Sequence, residues 1–279
     1  MQPCWGPPLK TTAPGPQFSR VDAAQAIAQL GAMFPIRDHN PSGRTPYVTY
    51  VLMAANILVF LGYLGMMDDV RAMNYLYLQW GMVPARLTAG DGYYTVLTSM
   101  FLHGGFMHLA GNMLFLWIFG DNVEEELGHG PYLAFYIVCG VLAAIAHYAL
   151  GPNSVVPTVG ASGAIAGVMG GYFLLFPKAK VDILIILVVV FKILPIPAWI
   201  MLALWFGMLF VGGFASSAND AGVAYWAHAG GFVAGLILIV PAWLARGGPE
   251  FWRSTEGHPP HPEARYRVAQ SRIPKVRRR

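Results

Sequence analysis

The sequence predicts an all-α polytopic membrane protein with six transmembrane helices and a long interfacial loop between helices 1 and 2. The composition is the first observation behind this prediction. Of 279 residues, 56% are hydrophobic and 11% are charged, whereas soluble domains are about 25% charged. The 32 glycines and eight tryptophans are typical of closely packed helices with interfacial aromatic anchors. The same figures exclude disordered and collagen-like proteins.

The second observation is the spacing of apolar stretches along the chain. A spanning helix needs about 20 predominantly apolar residues, and six stretches of roughly that length are separated by charged or Pro- and Gly-containing segments. The predicted spans are 48–66, 99–120, 131–150, 162–177, 198–214 and 221–245. Residues 183–191 are apolar but too few to cross as a helix. Residues 67–98 are too polar to span and rich in aromatics, which predicts the interfacial loop.

The distribution of basic residues predicts the orientation and the domains. With six spans both termini share one side, and that side carries 16 of the 18 Lys and Arg residues. Cytoplasmic segments are enriched in Lys and Arg, so we expect both termini in the cytoplasm and the protein in a bacterial inner (plasma) membrane. The domains are a polar leader (1–46), a six-span core (47–246) and a basic tail (247–279). Membrane topology explains the basic tail, so no nucleic-acid partner is expected.

Ser162 is the first candidate for chemistry within a predicted span. It lies in Gly160-Ala161-Ser162-Gly163, where a segment that interrupts the apolar run ends and an apolar helix is predicted to begin. Serine is a favoured N-cap residue, so capping alone would explain the position. The N–H groups and the positive dipole end of a helix N-terminus also suit a developing oxyanion, which would make Ser162 a nucleophile. The sequence of this segment leaves both interpretations open.

A serine nucleophile requires a base, and His228 in the sixth span is the candidate. The alternative is a histidine that is hydrogen-bonded to a neighbouring helix. Small residues that recur every four positions let helix backbones approach closely, and both helices carry such a face. These helix-packing glycines are Gly163 and Gly167 on the fourth span and Gly231 and Gly235 on the sixth. Two such faces in contact would bring Ser162 and His228 together. No carboxylate is placed to complete a triad, so the sequence predicts a Ser–His dyad.

His108 and Asn112 are candidates for stabilising an oxyanion. They are four residues apart, hence on one face of the second span, and an imidazole or amide N–H is a suitable donor. Interhelical hydrogen bonding is the alternative. Metalloproteases of membranes use a His-Glu-x-x-His string, which is absent from this sequence. We therefore expect no metal and no cofactor.

These motifs together resemble the rhomboid family of intramembrane serine proteases. The matching strings are His103-Gly-Gly-Phe-Met-His108-Leu-Ala-Gly-Asn112, Gly160-Ala-Ser162-Gly163 and Ala227-His228-Ala-Gly-Gly231-Phe-Val-Ala-Gly235. They occur in the family's order on spans two, four and six. The resemblance implies Ser162 as nucleophile, His228 as general base, and an oxyanion pocket of His108, Asn112 and the Ser162 N–H. Some members carry an aromatic residue four positions after the serine, packed on the histidine, where this chain has Ala166.

The resemblance implies a serine-type endopeptidase in the lipid bilayer that cleaves transmembrane protein substrates near the outer membrane face. The alternative is a non-catalytic rhomboid-like protein that binds membrane helices, although such relatives lack the serine or the histidine. A transporter with broken helices is a third interpretation, which the break at Pro195–Pro197 would fit. The lack of internal repeats and of intramembrane carboxylates counts against it. The sequence contains no indication of an oligomeric state.

Overall fold

The computed structural model describes residues 33–187, 190–215 and 225–264. Helices surround one short central helix, and a small sheet lies beside the end of that helix. In chain order the elements are β1 (Met33–Asp38), α1 (Tyr47–Tyr63), α2 (Val70–Trp80), α3 (Pro84–Thr88), α4 (Thr95–Thr98), α5 (Phe106–Leu127), α6 (His129–Leu150), α7 (Ser162–Leu175), β2 (Lys180–Leu187), β3 (Val190–Pro197), α8 (Ala198–Ala215), α9 (Tyr225–Leu238), α10 (Val240–Ala245) and α11 (Pro249–Thr255). The 3₁₀ turns Leu64–Met66 and Ser99–Phe101 follow α1 and α4.

The central helix is α7, which is buried on every side. All residues from 163 to 172 are buried, as expected for a helix that is apolar all round. Glycine and alanine supply most of these positions, and small residues let neighbouring backbones approach. Helices α5, α6 and α9 pack around it. The candidate serine therefore begins the most enclosed helix of the bundle.

Each of the six predicted spans overlaps a helix, but the helices differ in length. Within the described ranges, three helices are long and apolar enough to cross a bilayer: Tyr47–Met66, His129–Leu150 and Tyr225–Ala245. A fourth crossing results if Thr95–Phe101 and Phe106–Leu127, which meet at a 93° bend, form one span. Helix α7 and the apolar part of α8 are shorter. The count of six spans stays a prediction.

Helix α5 begins and ends later than the second predicted span. It starts at Phe106 and continues through the acidic run Glu124–Glu126 to Leu127, beyond the end of the predicted span at residue 120. Glu124 in the run is buried, and its carboxylate accepts the N–H groups of Val48 and Thr49 at 2.8 Å each. These donors lie at the N-terminus of α1, where backbone N–H groups have no partner within the helix. The carboxylate thus joins the two helices.

The all-α prediction is wrong, because the protein contains a three-stranded antiparallel sheet with the order β1-β2-β3. The apolar stretch that was too short to span supplies residues 183–187 to β2 and residues 190–191 to β3. Its β-branched residues favour extended backbone. Pro195 and Pro197 fit in β3 because it is an edge strand, where a missing N–H on the outer side breaks no ladder.

The predicted interfacial loop contains the short helices α2, α3 and α4. Tyr75 and Tyr93 leave 71% and 66% of their surface exposed, so large aromatic area faces outward here. A β-bridge joins Met82 to Thr158, with N···O distances of 3.0 and 2.8 Å. The loop is therefore fastened to the segment that precedes α7. The location of the loop in the membrane interface stays a prediction.

Parts of the predicted leader and tail pack on the core. Strand β1, from the leader, pairs with β2. Helix α11, from the tail, buries Phe251, and farther along the N–H of Ala264 donates to the carbonyl of His39 at 2.6 Å. The division into leader, core and tail stays a prediction, since residues 1–32 and 265–279 lie outside the described residues.

Candidate active site

Ser162 is the first residue of α7, and Ala161 occupies the N-cap position before it. The Ser162 hydroxyl oxygen lies 2.6 Å from Nε2 of His228 on α9. The hydroxyl therefore contacts a base from another helix instead of capping its own. The alternative that Ser162 is explained by capping does not hold in this geometry.

The segment that leads into Ser162 passes close to the histidine of α5. Gly160 has a φ of +131°, a backbone conformation that glycine adopts without steric cost. A Cβ on Gly160 would lie 2.9 Å from Nε2 of His108 and 3.4 Å from Oγ of Ser162. A side chain here would fill the space between those groups, so glycine keeps that space open.

Two further contacts fix this segment against the bundle. The N–H of Gly160 donates to the carbonyl of Ser99 at 2.9 Å. Nε2 of His147 on α6 lies 3.0 Å from the hydroxyl of Thr158, the residue that is bridged to the first loop. His147 thus holds the segment before Ser162 through Thr158.

His228 has an aromatic neighbour on α8. The rings of Trp205 and His228 have centroids 6.1 Å apart. Ala166 is fully buried, and the aromatic neighbour of His228 comes from α8 instead of α7. Nδ1 of His228 has no hydrogen-bond partner among the described residues. Asp220, the carboxylate eight positions before His228 in the chain, lies outside the described residues.

Glycine contacts set the distance between α7 and α9. A Cβ on Gly231 would overlap the carbonyl oxygen of Gly163, and a Cβ on Gly235 would overlap that of Gly167. Gly163 and Gly167 of α7 face α6 instead: a Cβ on Gly163 would lie 2.7 Å from Cβ of Ala143, and a Cβ on Gly167 would overlap Cβ of Cys139. The four predicted packing glycines thus belong to two helix contacts. Gly231 and Gly235 allow α9 to approach α7 closely, and Gly163 and Gly167 allow α7 to approach α6 closely.

His108 and Asn112 both lie in the first half of α5. Nδ1 of His108 accepts the N–H of Gly104 at 3.2 Å, which leaves Nε2 directed toward the Gly160 side of the site. Asn112 is buried, and its Nδ2 has no hydrogen-bond partner among the described residues. An unpaired buried amide N–H is a costly feature. Asn112 therefore carries a buried donor that has no acceptor within the described part of the chain.

Two tyrosines hold the chain that enters α5, and the sequence did not single them out. The hydroxyls of Tyr63 on α1 and Tyr77 on α2 donate to the carbonyl of His103 at 2.9 and 3.1 Å. The Tyr63 hydroxyl also accepts the N–H of His103 at 2.8 Å. The rings of His103 and His108 are 5.1 Å apart. These tyrosines therefore position the backbone beside the candidate oxyanion donors. No local sequence signal identifies them, because their partner is a distant backbone group.

The arrangement has the parts needed for acyl transfer to water. A hydroxyl and an imidazole are within proton-transfer distance. The hydroxyl sits at a helix N-terminus, where backbone N–H groups and the helix dipole favour negative charge. Within the described ranges, no group of three or more His, Cys, Asp or Glu side chains is placed to hold a metal ion.

A family model described as Rhomboid domain matches residues 90–244, more than half of the chain. The chain is 34% identical over 125 residues to the Rhomboid protease GluP of Bacillus subtilis (strain 168). This alignment covers 45% of this chain and 24% of that protein. It is 33% identical over 158 residues to Rhomboid protein 1, mitochondrial, of Saccharomyces cerevisiae. That alignment covers 55% of this chain and 42% of the yeast protein. It is 36% identical over 84 residues to the Putative rhomboid protease YdcA of Bacillus subtilis (strain 168). That alignment covers 30% of this chain and 42% of YdcA.

The matches thus span less than half the length of each of these relatives. The matched range of the family model includes the site residues of α5, α7 and α9. The apolar helices agree with membrane insertion. Because the family model matches more than half of its length, the chain belongs to the rhomboid family and is an integral membrane protein.

Proposed function

We propose that this protein is an intramembrane serine endopeptidase. The observation that carries the proposal is the 2.6 Å contact between Oγ of Ser162 and Nε2 of His228. The similarity to proteins named rhomboid proteases supports it. The proposed roles are Ser162 as nucleophile and His228 as general base, with no metal and no cofactor.

In the first half of the reaction, Nε2 of His228 takes the proton from Oγ of Ser162 while Oγ attacks the substrate's peptide carbonyl carbon. Negative charge develops on the carbonyl oxygen. The Ser162 N–H, the amide of Asn112 and the ring of His108 are the proposed donors to that oxygen. The C–N bond then breaks, and the imidazolium of His228 gives its proton to the leaving amine.

In the second half, water replaces the amine. His228 removes a proton from water, and the resulting hydroxide attacks the acyl carbon bonded to Oγ. The ester bond breaks, Oγ regains a proton from His228, and the carboxylic acid product leaves. His228 is neutral at the start and at the end of each half-reaction and is protonated only between them. Nδ1 of His228 has no hydrogen-bond partner among the described residues.

The proposed substrates are transmembrane proteins whose helices unwind easily near the outer membrane face. Unwinding is required because a helix hydrogen-bonds its own carbonyl groups, which shields them from attack. The proposed setting is a bacterial inner membrane, with six spans and both termini in the cytoplasm. The asymmetry of Lys and Arg supports this orientation. It places Ser162 and His228 toward the outer leaflet.

The test is labelling of the detergent-solubilised full chain with a fluorophosphonate probe. Wild type is expected to be labelled, while Ser162→Ala and His228→Ala are not. Ser99→Ala is the control, because Ser99 is a buried serine whose hydroxyl donates to the carbonyl of Val96 at 3.4 Å. Labelling of Ser162→Ala at the wild-type level would refute the nucleophile. Absence of labelling in correctly folded wild type would favour a non-catalytic membrane-helix binding protein.

A further inference from the structure

A polar cavity lies at the end of α7 that is opposite to Ser162. It has a volume of about 540 Å³ and lies between the residues that follow α7 and those of α11 and its succeeding turn. Its lining includes two cationic side chains, Lys178 and Arg253, together with Trp252, His258 and one carboxylate, Glu256. Neither the dyad nor the proposed reaction uses any of these residues.

The cavity is a built feature that secondary structure holds in place. The N–H of Lys178 donates to the carbonyl of Gly257 at 3.0 Å. Gly257 has a φ of +75°, and a Cβ there would lie 3.3 Å from Cγ of Lys178. The stem of Lys178 is thus packed against the turn, while its residue as a whole is exposed.

The charge balance of the lining favours an anion. Arg253 pairs with Glu250 at 3.0 Å, but both side chains are largely exposed, and exposed pairs of this kind are weak and easily exchanged. Lys178 has no ion pair within the described residues. Lys178 and Arg253 therefore outnumber Glu256. Basic pockets on the cytoplasmic side of transmembrane helices are typical sites for anionic headgroups.

An apolar groove of about 540 Å³ adjoins the polar cavity. It runs between α7 and the end of α9, lined by Phe173, Leu174, Leu236, Ile237, Val240 and Pro241. Trp252 joins the two, because its indole Nε1 donates to the carbonyl of Leu174 at 2.8 Å. One residue of this hydrogen bond lines the polar cavity and the other lines the apolar groove. A ligand that fills both must be amphipathic.

We propose that this combined site binds one anionic glycerophospholipid of the cytoplasmic leaflet. The phosphate lies between Lys178 and Arg253, the indole of Trp252 sits at the level of the glycerol backbone, and one acyl chain lies in the groove along Ile237. The site rests on the proposed orientation, which puts the end of α7 at the cytoplasmic surface, and not on the proposed proteolysis. Ser162 lies at the other end of the same helix, so the two sites are separate.

The test is native mass spectrometry of the full chain in detergent, titrated with phosphatidylglycerol or with phosphatidylcholine. One phosphatidylglycerol is expected to be retained, at least about fivefold more tightly than phosphatidylcholine. Lys178→Gln with Arg253→Gln should remove that preference, and Arg71→Gln, an exposed cation on α2, should leave it unchanged. All variants keep the same basic tail, so non-specific attraction to the tail cancels between them. Equal retention of both lipids by wild type, or an unchanged preference in the double variant, would overturn the proposal.

Two further arms identify the ligand's source and the groove. Inorganic phosphate at millimolar concentration should not displace the lipid, and displacement would show a phosphate site without a lipid. Ile237→Trp fills the groove from an exposed position and should weaken phosphatidylglycerol retention several-fold. Retention equal to wild type in Ile237→Trp would refute the acyl-chain placement. Thermal unfolding in the same detergent, with a Tm equal to that of wild type, verifies the fold of each variant independently of any catalytic activity.

Discussion

Nε2 of His228 lies 2.6 Å from Oγ of Ser162, although 66 positions separate the two residues in the chain. Each residue belongs to a different helix, so the distance depends on how closely α7 and α9 approach. That approach is set where Gly231 and Gly235 meet backbone carbonyls of α7. Chemistry and packing therefore make separate contributions, and different substitutions test each of them.

Ser162 and His228 are expected to act as one unit in cleavage. We predict that Ser162→Ala, His228→Ala and the double variant each lower cleavage of a transmembrane reporter by at least about 10³-fold, with the double variant no worse than either single one. The reason is that a base without its nucleophile, or the reverse, retains little of the joint effect. The measurement is turnover of purified protein with a fluorescent or gel-resolved reporter. If the activity loss of the double variant equalled the product of the two single losses, the two residues would act independently and not as a dyad. A single variant that keeps more than about a tenth of the wild-type activity would also contradict the dyad.

Asn112 is expected to affect turnover more than substrate binding. Its unpaired Nδ2 can donate to the reacting oxygen only as charge develops, so we predict that Asn112→Ala lowers kcat by about 10²–10³-fold with little change in KM. The matched control is Asn56→Ala, which removes a buried asparagine on α1 whose Nδ2 donates to Leu52 at 2.8 Å. That control should lower stability and leave kcat per folded molecule unchanged. A rise in KM alone for Asn112→Ala would place the residue in substrate recognition.

The pairing of Ser162 with His228 could be predicted, because it depends on residue types at fixed places. Serine at a helix start, histidine in an apolar span and recurrent small residues are visible in one dimension. The structure brings Ser162 and His228 together as the sequence suggested. The directions of the glycines were less predictable, because helix rotation decides them. Gly163 and Gly167 turn mainly toward α6, which period-four spacing alone does not reveal.

The residues that support the site were not predictable from local patterns. Trp205 approaches His228 from α8, and Tyr63 reaches the backbone of His103 from α1. Neither position differs in type from the many aromatic residues of a membrane protein. The pairing of β1 with β2 was missed because these two strands come from segments far apart in the chain. Glu124 lies just beyond the second predicted span, and only the packed structure shows that its carboxylate satisfies a helix N-terminus.

Both termini are expected on the cytoplasmic side of the membrane. Cysteine placed at Ser19 or at Ser271, in a background without Cys4 and Cys139, should react with a membrane-impermeant thiol reagent only after the cells are permeabilised. The physical reason is the concentration of Lys and Arg on one side of the predicted spans. The control is cysteine at Thr88, an exposed position in the first loop, which should react in intact cells. Reaction of either terminal cysteine in intact cells would contradict the six-span orientation.

Asp38 is expected to make the folded protein less stable at alkaline pH. Burial raises the pKa of Asp38 to about 8, the charge of Asp121 adds to the rise, and hydrogen bonds from Tyr172 and Asn122 oppose it. The folded state thus holds the proton more tightly than the unfolded state does. This contribution to stability is complete below the ordinary pKa of 3.8 and is lost as the pH rises through about 8, with a slope of at most about 1.4 kcal/mol per pH unit.

We predict that Asp38→Asn flattens this dependence and gives a higher Tm than wild type at about pH 9. The asparagine oxygen can still accept from the amide of Asn122, which donates to Asp38 at 2.8 Å. Asp68→Asn, at an exposed position, is the control and should follow wild type. Thermal unfolding in one detergent across the pH range is the measurement. Parallel curves for Asp38→Asn and wild type would mean that Asp38 is ionised in the folded protein.

Substitution of the α9 glycines is expected to inactivate the protein through geometry. We predict that Gly231→Val and Gly235→Val each insert into the membrane, have a lower Tm and lose at least about 10²-fold in cleavage, because a displacement near 1 Å separates groups that must meet at hydrogen-bond distance. A Cβ at either position would overlap backbone atoms of α7, which cannot rotate away as a side chain could. Valine itself is tolerated in an apolar span.

Gly62→Val is the matched control for these two variants. Gly62 lies in α1, another apolar helix, and a Cβ there would meet nothing within 4 Å. This variant should keep wild-type cleavage and Tm, so a loss confined to α9 cannot come from glycine replacement in a membrane helix as such. Fluorophosphonate labelling should fall in parallel with cleavage, because the displaced His228 no longer activates Ser162. If Gly231→Val and Gly235→Val both cleave at the wild-type rate, the α7–α9 contact does not set the Ser162–His228 distance.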